Sequence, residues 1–113
     1  MQENHLLQIT RYGMGHGDAE LAIKLVASYF KILIEDKRLP SIITFYNEGV
    51  KLLAAGSPVI SLMQEAEKQG VKLLACKTCL DYYQITDNMA AGVKGTMMDI
   101  ITLQSEAAKV INL

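Results

Sequence analysis

The chain's two cysteines are three residues apart, in the stretch Cys76-Lys77-Thr78-Cys79. Residues 71–75 before them are an apolar run typical of a buried strand, and residues 80–83 after them are typical of the first turn of a helix. Reactive groups collect at the carboxyl ends of strands in an open parallel sheet, so a CxxC at such a junction favours thiol chemistry. If Thr78 caps the helix, Cys79 is its first residue, where unpaired backbone N–H groups stabilise a thiolate.

Three functions are compatible with this pair. One cysteine could carry a sulfur atom as a persulfide while the other assists, or the two could form a reversible disulfide and act as a redox switch. Both thiols could also be packed in the core of a non-catalytic binding module, because free cysteine is among the most buried residue types. Zinc is disfavoured, since a closed site needs four ligands and His5 and His16 lack ligand spacing. We therefore expect no metal and no organic cofactor.

A glycine-rich loop, Gly13-Met14-Gly15-His16-Gly17-Asp18, joins the first predicted strand to the first predicted helix. Asp18 stands where a dinucleotide-binding loop has its third glycine, and the Gly-Lys-Ser/Thr ending of a P-loop is missing, so nucleotide binding is disfavoured. We expect the loop at the same sheet edge as the cysteines. There Gly15 and Gly17 are candidate substrate contacts, and His16 could donate a proton or stabilise a thiolate.

A third cluster at this edge, Asn47-Glu48-Gly49, follows the second predicted strand. Asn47 and Glu48 are candidate substrate-binding residues, and Glu48 could handle a proton or bind a basic residue of a partner. Residues of these types more often cap or solvate a turn. Thr78 is a further candidate substrate-binding residue, and the backbone amides around it complete the predicted site as donors to the thiolate.

The pattern along the chain alternates strands with helices. It predicts a three-layer α/β/α sandwich with a mostly parallel sheet of about five strands and right-handed crossovers. The apolar runs fit a sheet that is covered on both faces. The predicted strands are residues 6–10, 42–46, 71–75, 93–95 and 110–113.

Residues typical of helix ends predict where the helices begin and end. Asp18 is a good N-cap for a helix over residues 19–35. Ser57-Pro58 predicts the start of a second helix and Gly70 its end, and Thr96 with Asp99 predicts a capping box for a later one. The stripe predicted to face the core in the first helix consists of Leu21, Leu25, Ser28, Tyr29 and Ile32.

The composition is that of one compact domain over residues 1–113. The formal net charge of −1 provides no electrostatic surface for nucleic acid, and no polybasic run suggests a membrane surface. The N-terminus lacks the pattern of a signal peptide, so we expect a cytoplasmic protein. Half of the residues are hydrophobic, which in so small a chain favours a homo-oligomer.

Several motifs resemble those of a known family. The stretches Asn47-Glu48-Gly49-Val50-Lys51-Leu52 and Gly56-Ser57-Pro58 and, above all, residues 74–83 are similar to the DsrE-like domain of YedF-type proteins, in the DsrE/DsrF superfamily. The similarity keeps its order through almost the whole chain and includes Gly15 and Gly17 of the first loop. The Cys-x-Thr-Cys-Leu-Asp-Tyr block is its most specific part.

The resemblance implies a flavodoxin-like or Rossmann-like fold that assembles into dimers, trimers or hexamers. It also implies sulfurtransferase-like sulfur relay, or selenium metabolism, with a sulfur donor or acceptor protein as partner. Cys76 matches the position that carries persulfide sulfur in the superfamily, and Cys79 matches the second cysteine of the YedF pattern. We therefore expect Cys76 to accept and pass sulfur while Cys79 assists. The YedF pattern has glycine at the position of Lys77, and the 113 residues do not include its N-terminal sulfur-carrier domain.

Overall fold

Five parallel strands form one sheet in the order β4-β3-β2-β1-β5. The computed structural model describes the backbone of residues 2–113 and the side chains of residues 5–113. The strands are β1 (Gln2–Ile9), β2 (Pro40–Phe45), β3 (Lys72–Cys76), β4 (Val93–Gly95) and β5 (Lys109–Asn112). The helices are α1 (Ala19–Glu35), α2 (Ile60–Lys68), α3 (Lys77–Tyr82) and α4 (Met97–Glu106), and a 3₁₀ helix (Asn47–Leu53) follows β2. The predicted α/β sandwich with its parallel sheet is confirmed.

Helices cover the two faces of the sheet unequally. The chain advances from β1 to β4 in one direction, so right-handed crossovers place α1, the 3₁₀ helix and α2 on one face, and α4 crosses the other. The larger core cluster lies on the first face and includes Phe30, Met63 and Phe45. The smaller cluster, on the α4 face, includes Leu74 and Ile100. The carboxyl ends of β1, β2 and β3 lie side by side, which brings the predicted site residues to one edge.

Helix α1 has the predicted ends, but it buries a different stripe. Asp18 caps it, because its carboxylate accepts the Leu21 N–H at 2.9 Å. The predicted stripe is wrong, since Leu21, Leu25 and Ile32 are 53%, 44% and 52% exposed. The buried residues are Ala22, Val26 and Phe30. These residues are spaced by four and lie about 100° around the helix from Leu21 and Leu25. The buried stripe is wholly apolar, whereas the predicted stripe contains the polar groups of Ser28 and Tyr29.

The other boundary signals are largely confirmed. Gly70 follows α2 with φ +100°, the left-handed conformation expected of a terminating glycine. Thr96 begins α4 in a complete capping box. Helix α2 starts at Ile60 rather than at Pro58, because residues 57–60 first form a turn.

Apolar side chains remain exposed on both outer layers. Met97, Met98 and Ile101 on α4 are at least half exposed, as are Leu21 and Ile32 on α1. Homo-oligomer formation stays a prediction. Within residues 2–113, none of the helices combines the length and the apolar character that a membrane span requires.

Candidate functional site

Cys76 lies at the end of β3 and is buried. Its side chain is 2% exposed and clusters with Leu74 and Ile100 on the α4 face of the sheet. It is also the N-cap of α3, with an extended backbone (φ −63°, ψ 118°). The prediction that Thr78 caps this helix is wrong, because β3 runs into α3 without an intervening loop. Cys79 is consequently the third residue of the helix instead of the first.

Cys79 is half-buried, and its sulfur accepts a hydrogen bond from the backbone N–H of Asn47 at 3.1 Å. Desolvation by burial raises the pKa of the Cys79 thiol, the hydrogen bond and charge of Cys76 raise it further, and the Asn47 N–H opposes them. The net direction is opposite to the lowering predicted from a helix N-terminus. Cys79 packs against the cluster that contains Cys76, and of the two thiols only that of Cys79 lines a pocket.

The 3₁₀ helix brings Asn47 to Cys79 because it packs tightly on the end of β1. The Tyr46 N–H donates to the Ile9 carbonyl at 3.2 Å and so anchors the start of the segment. A Cβ atom added at Gly49 would lie 2.0 Å from the same carbonyl oxygen. Glycine at this position therefore allows the close approach of the two backbones, and the approach sets where the Asn47 amide points.

A pocket of about 430 Å³ opens beside Cys79. We call it the tyrosine pocket; it is lined by Tyr46, Asn47, Thr78, Cys79, Tyr82, Tyr83 and Met97. Asn47 and Thr78, both predicted as substrate-binding residues, thus lie at the thiol. The residues from the carboxyl ends of β2 and β3 converge here, as parallel-sheet topology requires.

Charged residues around the pocket are paired with each other. Lys77 Nζ donates to Asp81 Oδ2 at 2.9 Å, and Thr86 Oγ1 donates to the other carboxylate oxygen. These bonds, first that of Thr86 and then that of Lys77, lower the pKa of Asp81. On the other side, Lys51 pairs with Glu48 at 3.7 Å. The charge that Lys77 brings beside the cysteines is therefore largely offset by Asp81.

Tyr83 connects the 3₁₀ helix to α3. Its hydroxyl donates to Asn47 Oδ1 at 3.1 Å, and Lys51 Nζ lies 4.4 Å from its ring centroid. Desolvation raises the pKa of Tyr83, and the charges of Glu48 and Cys79 add to the effect. The Tyr83 hydroxyl therefore stays protonated at neutral pH, which keeps it a hydrogen-bond donor to Asn47.

The glycine-rich loop does not join the thiols. His16 is exposed, and its Nδ1 lies 2.9 Å from Nη1 of Arg11. Gly15 and Gly17 are exposed with φ of +81° and +135°, and a Cβ atom at either would meet nothing within 4 Å. Within residues 5–113, no hydrogen bond or ion pair connects this loop to Cys76 or Cys79. The roles of His16, Gly15 and Gly17 stay predictions.

Two residues of the site, Gly49 and Tyr83, make contacts in the structure that the sequence did not indicate. The sequence predicts Gly49 only as part of a turn, because its close approach to Ile9 is a contact between residues distant in the chain. Tyr83 lines the pocket, and its hydrogen bond to Asn47 joins residues 36 positions apart in the chain. Contacts at such separation have no local signature.

The described residues offer no ready metal site, since no three His, Cys, Asp or Glu side chains among them converge. Another cavity, of about 300 Å³, lies at the opposite edge of the sheet between the strand starts and the end of α4. His5, Lys72 and Glu106 are among the residues that line it, and it contains neither thiol. The tyrosine pocket is therefore the cavity in which thiol chemistry can take place.

Replacing Cys76 with alanine is expected to lower the pKa of Cys79. Cys76 raises that pKa through a hydrogen bond and through its charge, and alanine removes both effects while leaving the Asn47 N–H in place. The measurement is the rate of Cys79 alkylation against pH in wild type and Cys76→Ala. The midpoint should move to lower pH in the variant. A midpoint that stays the same or rises would show that the two thiols do not interact in the folded protein.

Known proteins with a similar sequence pattern or a similar fold identify the family of this chain. The model of the DsrE/DsrF-like family matches residues 5–113. The protein of unknown function MTH1491 from Methanobacterium thermoautotrophicum is similar in structure, with 23% identity, a TM-score of 0.71, and coverage of 96% of this chain and 97% of that one. The ychN protein from E. coli is 17% identical with a TM-score of 0.66, over 96% of this chain and 99% of its own.

Among curated proteins, none matches the sequence. The two solved structures share the fold at low identity, and the family model extends over nearly the whole chain. This chain therefore belongs to the DsrE/DsrF-like family.

Proposed function

We propose that this protein is a sulfur carrier whose thiol pair accepts and passes persulfide sulfur. The observation that carries the proposal is the arrangement of Cys79 in the tyrosine pocket, where its sulfur accepts a hydrogen bond from the Asn47 N–H and its side chain packs against the buried cluster that contains Cys76. A thiol open to a pocket can meet a donor, and a second thiol in contact with the first can take over its sulfur. Membership of the DsrE/DsrF-like family and the resemblance to its sulfur-relay members support the same chemistry.

The burial of the two sulfurs suggests the order in which they act. The sequence predicts Cys76 as the acceptor, but this side chain is 2% exposed, whereas Cys79 lines the pocket. We therefore propose that sulfur enters at Cys79 and passes to Cys76 in a second step. Cys76 still carries persulfide sulfur, as the resemblance implies, and its burial would shield the persulfide from water and oxidants.

Each step is an exchange at sulfur without net oxidation. The Cys79 thiolate attacks the outer sulfur of a donor persulfide, R–S–SH; the donor's S–S bond breaks, and a new bond gives Cys79–S–SH. The donor leaves as R–S⁻ and takes up the proton that Cys79 has lost. Cys76, deprotonated in turn, attacks the same outer sulfur, giving Cys76–S–SH and a Cys79 thiolate that regains the proton. An acceptor thiolate removes the sulfur by the reverse sequence.

The tyrosine pocket indicates the kind of donor. Its lining consists of uncharged side chains, three of them tyrosines, and the nearby lysines are paired with carboxylates. A donor with an uncharged segment next to its persulfide fits this surface better than a small anion does. We propose that a sulfur-carrier protein, which presents its persulfide on an extended segment, is the physiological donor or acceptor.

Loading with glutathione persulfide tests the proposal. Wild type, Cys76→Ala, Cys79→Ser and the double variant are exposed to the donor, desalted and treated with dithiothreitol, and the sulfide released per protein is measured. Wild type and Cys76→Ala should both load. Cys79→Ser should load on the order of a hundredfold more slowly, because the donor must reach a buried thiol. The double variant should release only background sulfide.

The rival functions give different results in the same assay. A dithiol–disulfide switch needs both cysteines, so wild type would form an internal disulfide without bound sulfur. A binding module whose thiols only pack would release as little sulfide from wild type as from the double variant. Either result would overturn the sulfur-carrier proposal. The same assay with a selenium donor would show whether the pair also handles selenium.

A further inference from the structure

Asn47 has an unusual backbone conformation at the point where it meets Cys79. Its φ is +53°, and among the described residues only Lys37 and Gln84 share a positive φ without being glycine. Asparagine tolerates the left-handed region better than most residues, because its short polar side chain forms local hydrogen bonds. A non-glycine residue in this conformation at a reactive centre suggests that the conformation has a use.

The left-handed turn directs a backbone donor at the thiol. The Asn47 N–H points at Cys79 Sγ, 3.1 Å away, in a half-buried position. Hydrogen bonds to an anion are about twice as strong as those between neutral groups, and partial exclusion of water strengthens them further. The bond is therefore worth more once Cys79 has lost its proton than before.

Side-chain contacts hold the turn in place. The Tyr83 hydroxyl donates to Asn47 Oδ1 at 3.1 Å, and the ring of Tyr83 lies under Lys51. Lys51 in turn pairs with Glu48. Tyr83 thus contacts two residues of the 3₁₀ helix, Asn47 and Lys51.

We propose that Asn47 is a positioning residue whose left-handed backbone aims its amide at Cys79 and so stabilises the thiolate that attacks the donor. The inference rests on the proposed function, in which Cys79 is the entry thiol. It assigns the contribution to the backbone of Asn47, with the side chain serving only to hold the turn through Tyr83.

Other groups around Cys79 also respond to pH, so the test must isolate the amide. The tyrosines around it are Tyr46 after β2 and Tyr82 and Tyr83 on or next to α3, and the second thiol is Cys76 at the end of β3. The charged groups are two ion pairs, Lys77 with Asp81 on α3 and, beyond the Tyr83 ring, Lys51 with Glu48 on the 3₁₀ helix. The nearest residue of α4, Met97, does not titrate. Replacing Asn47 removes the acceptor of the Tyr83 hydroxyl, so the test compares two substitutions at Asn47 that both lose this bond and differ in the backbone conformation they allow.

The experiment compares Asn47→Val with Asn47→Gly, both in the Cys76→Ala background. Glycine adopts positive φ without cost, whereas a β-branched residue strongly disfavours it. Asn47→Val should therefore displace the amide, shift the alkylation midpoint of Cys79 to higher pH and slow alkylation at neutral pH about tenfold. Asn47→Gly should retain most of the Cys79 alkylation rate of the Cys76→Ala protein. Lys37→Val places the same residue type in a left-handed position (φ +55°) far from the thiols, and it should leave the midpoint where it was.

The outcomes separate this inference from the proposed function. If Asn47→Val and Asn47→Gly have the same midpoint, the backbone of Asn47 does not stabilise the thiolate and the inference is wrong, even when wild type loads sulfur. If Lys37→Val shifts the midpoint as much as Asn47→Val does, the effect is a general loss of stability and the inference fails as well. If wild type does not load sulfur, the proposed function fails, and the alkylation midpoints still report on the amide.

Discussion

Gly49→Ala is expected to destabilise the fold by about 3 kcal/mol, at the upper end of the usual cost of overpacking. The added Cβ would stand 2.0 Å from the Ile9 carbonyl oxygen and 2.7 Å from its carbon. Both contacts are with backbone at the end of a central strand, so no flexible side chain can move aside. The 3₁₀ helix must shift instead. Chemical denaturation of wild type and variant measures the change in the free energy of unfolding.

The matched control for this substitution is Gly15→Ala. A Cβ atom at Gly15 meets nothing within 4 Å, so the only cost there is that of φ +81°, about 1 kcal/mol. Gly49→Ala should therefore be clearly the less stable of the two. The same variant should also weaken the bond from the Asn47 N–H to Cys79 and move the alkylation midpoint of Cys79 to higher pH. Equal stability of the two variants would contradict the close packing of the 3₁₀ helix on β1.

Cys79→Ser should slow alkylation of the native protein on the order of a hundredfold, because the remaining thiol reacts only when the fold opens locally. Cys76 is 2% exposed and packs behind Leu74 and Ile100, so a reagent cannot reach it in the closed structure. Serine is close to cysteine in size and can still accept the Asn47 N–H, so the surrounding structure should persist. The measurement is the rate of labelling by iodoacetamide under native conditions.

The control for this prediction is Cys76→Ala, which keeps the exposed thiol and should label at least as fast as wild type. Labelling after denaturation confirms that each single variant retains one reactive thiol. Similar native rates for the two variants would show that Cys76 and Cys79 are equally accessible. That result would remove the basis for the proposed order of sulfur entry.

Much of the fold could be predicted because local signals act over a few residues. Asp18, Gly70 and Thr96 mark helix ends through caps that involve their near neighbours, and each is found where predicted. The alternation of strands and helices also determined a parallel sheet. The buried stripe of α1 could not be predicted in the same way, because apolar residues lie on two sides of the helix and only the sheet decides between them.

The sequence predicted the edge of the sheet at which the site lies, but not which of the two thiols is buried. Parallel topology put Asn47 and Cys79 at one edge, as expected from their positions after neighbouring strands. Helix α3 starts two residues earlier than predicted, which makes Cys76 its N-cap and Cys79 its third residue, and Cys76 packs in the α4 cluster. Which thiol lines the pocket therefore depends on where β3 ends and α3 begins. The pKa of Cys79 depends in addition on burial, which spacing alone does not report.

Mapping of added sulfur by mass spectrometry tests the central claim most directly. Wild-type protein is exposed briefly to glutathione persulfide, the reaction is quenched with an alkylating agent at successive times, and the peptides containing residues 76–79 are sequenced. The account predicts one additional sulfur atom, first on Cys79 and later on Cys76, removed by dithiothreitol. No additional sulfur on either residue, in protein whose two thiols both alkylate after denaturation, would contradict it.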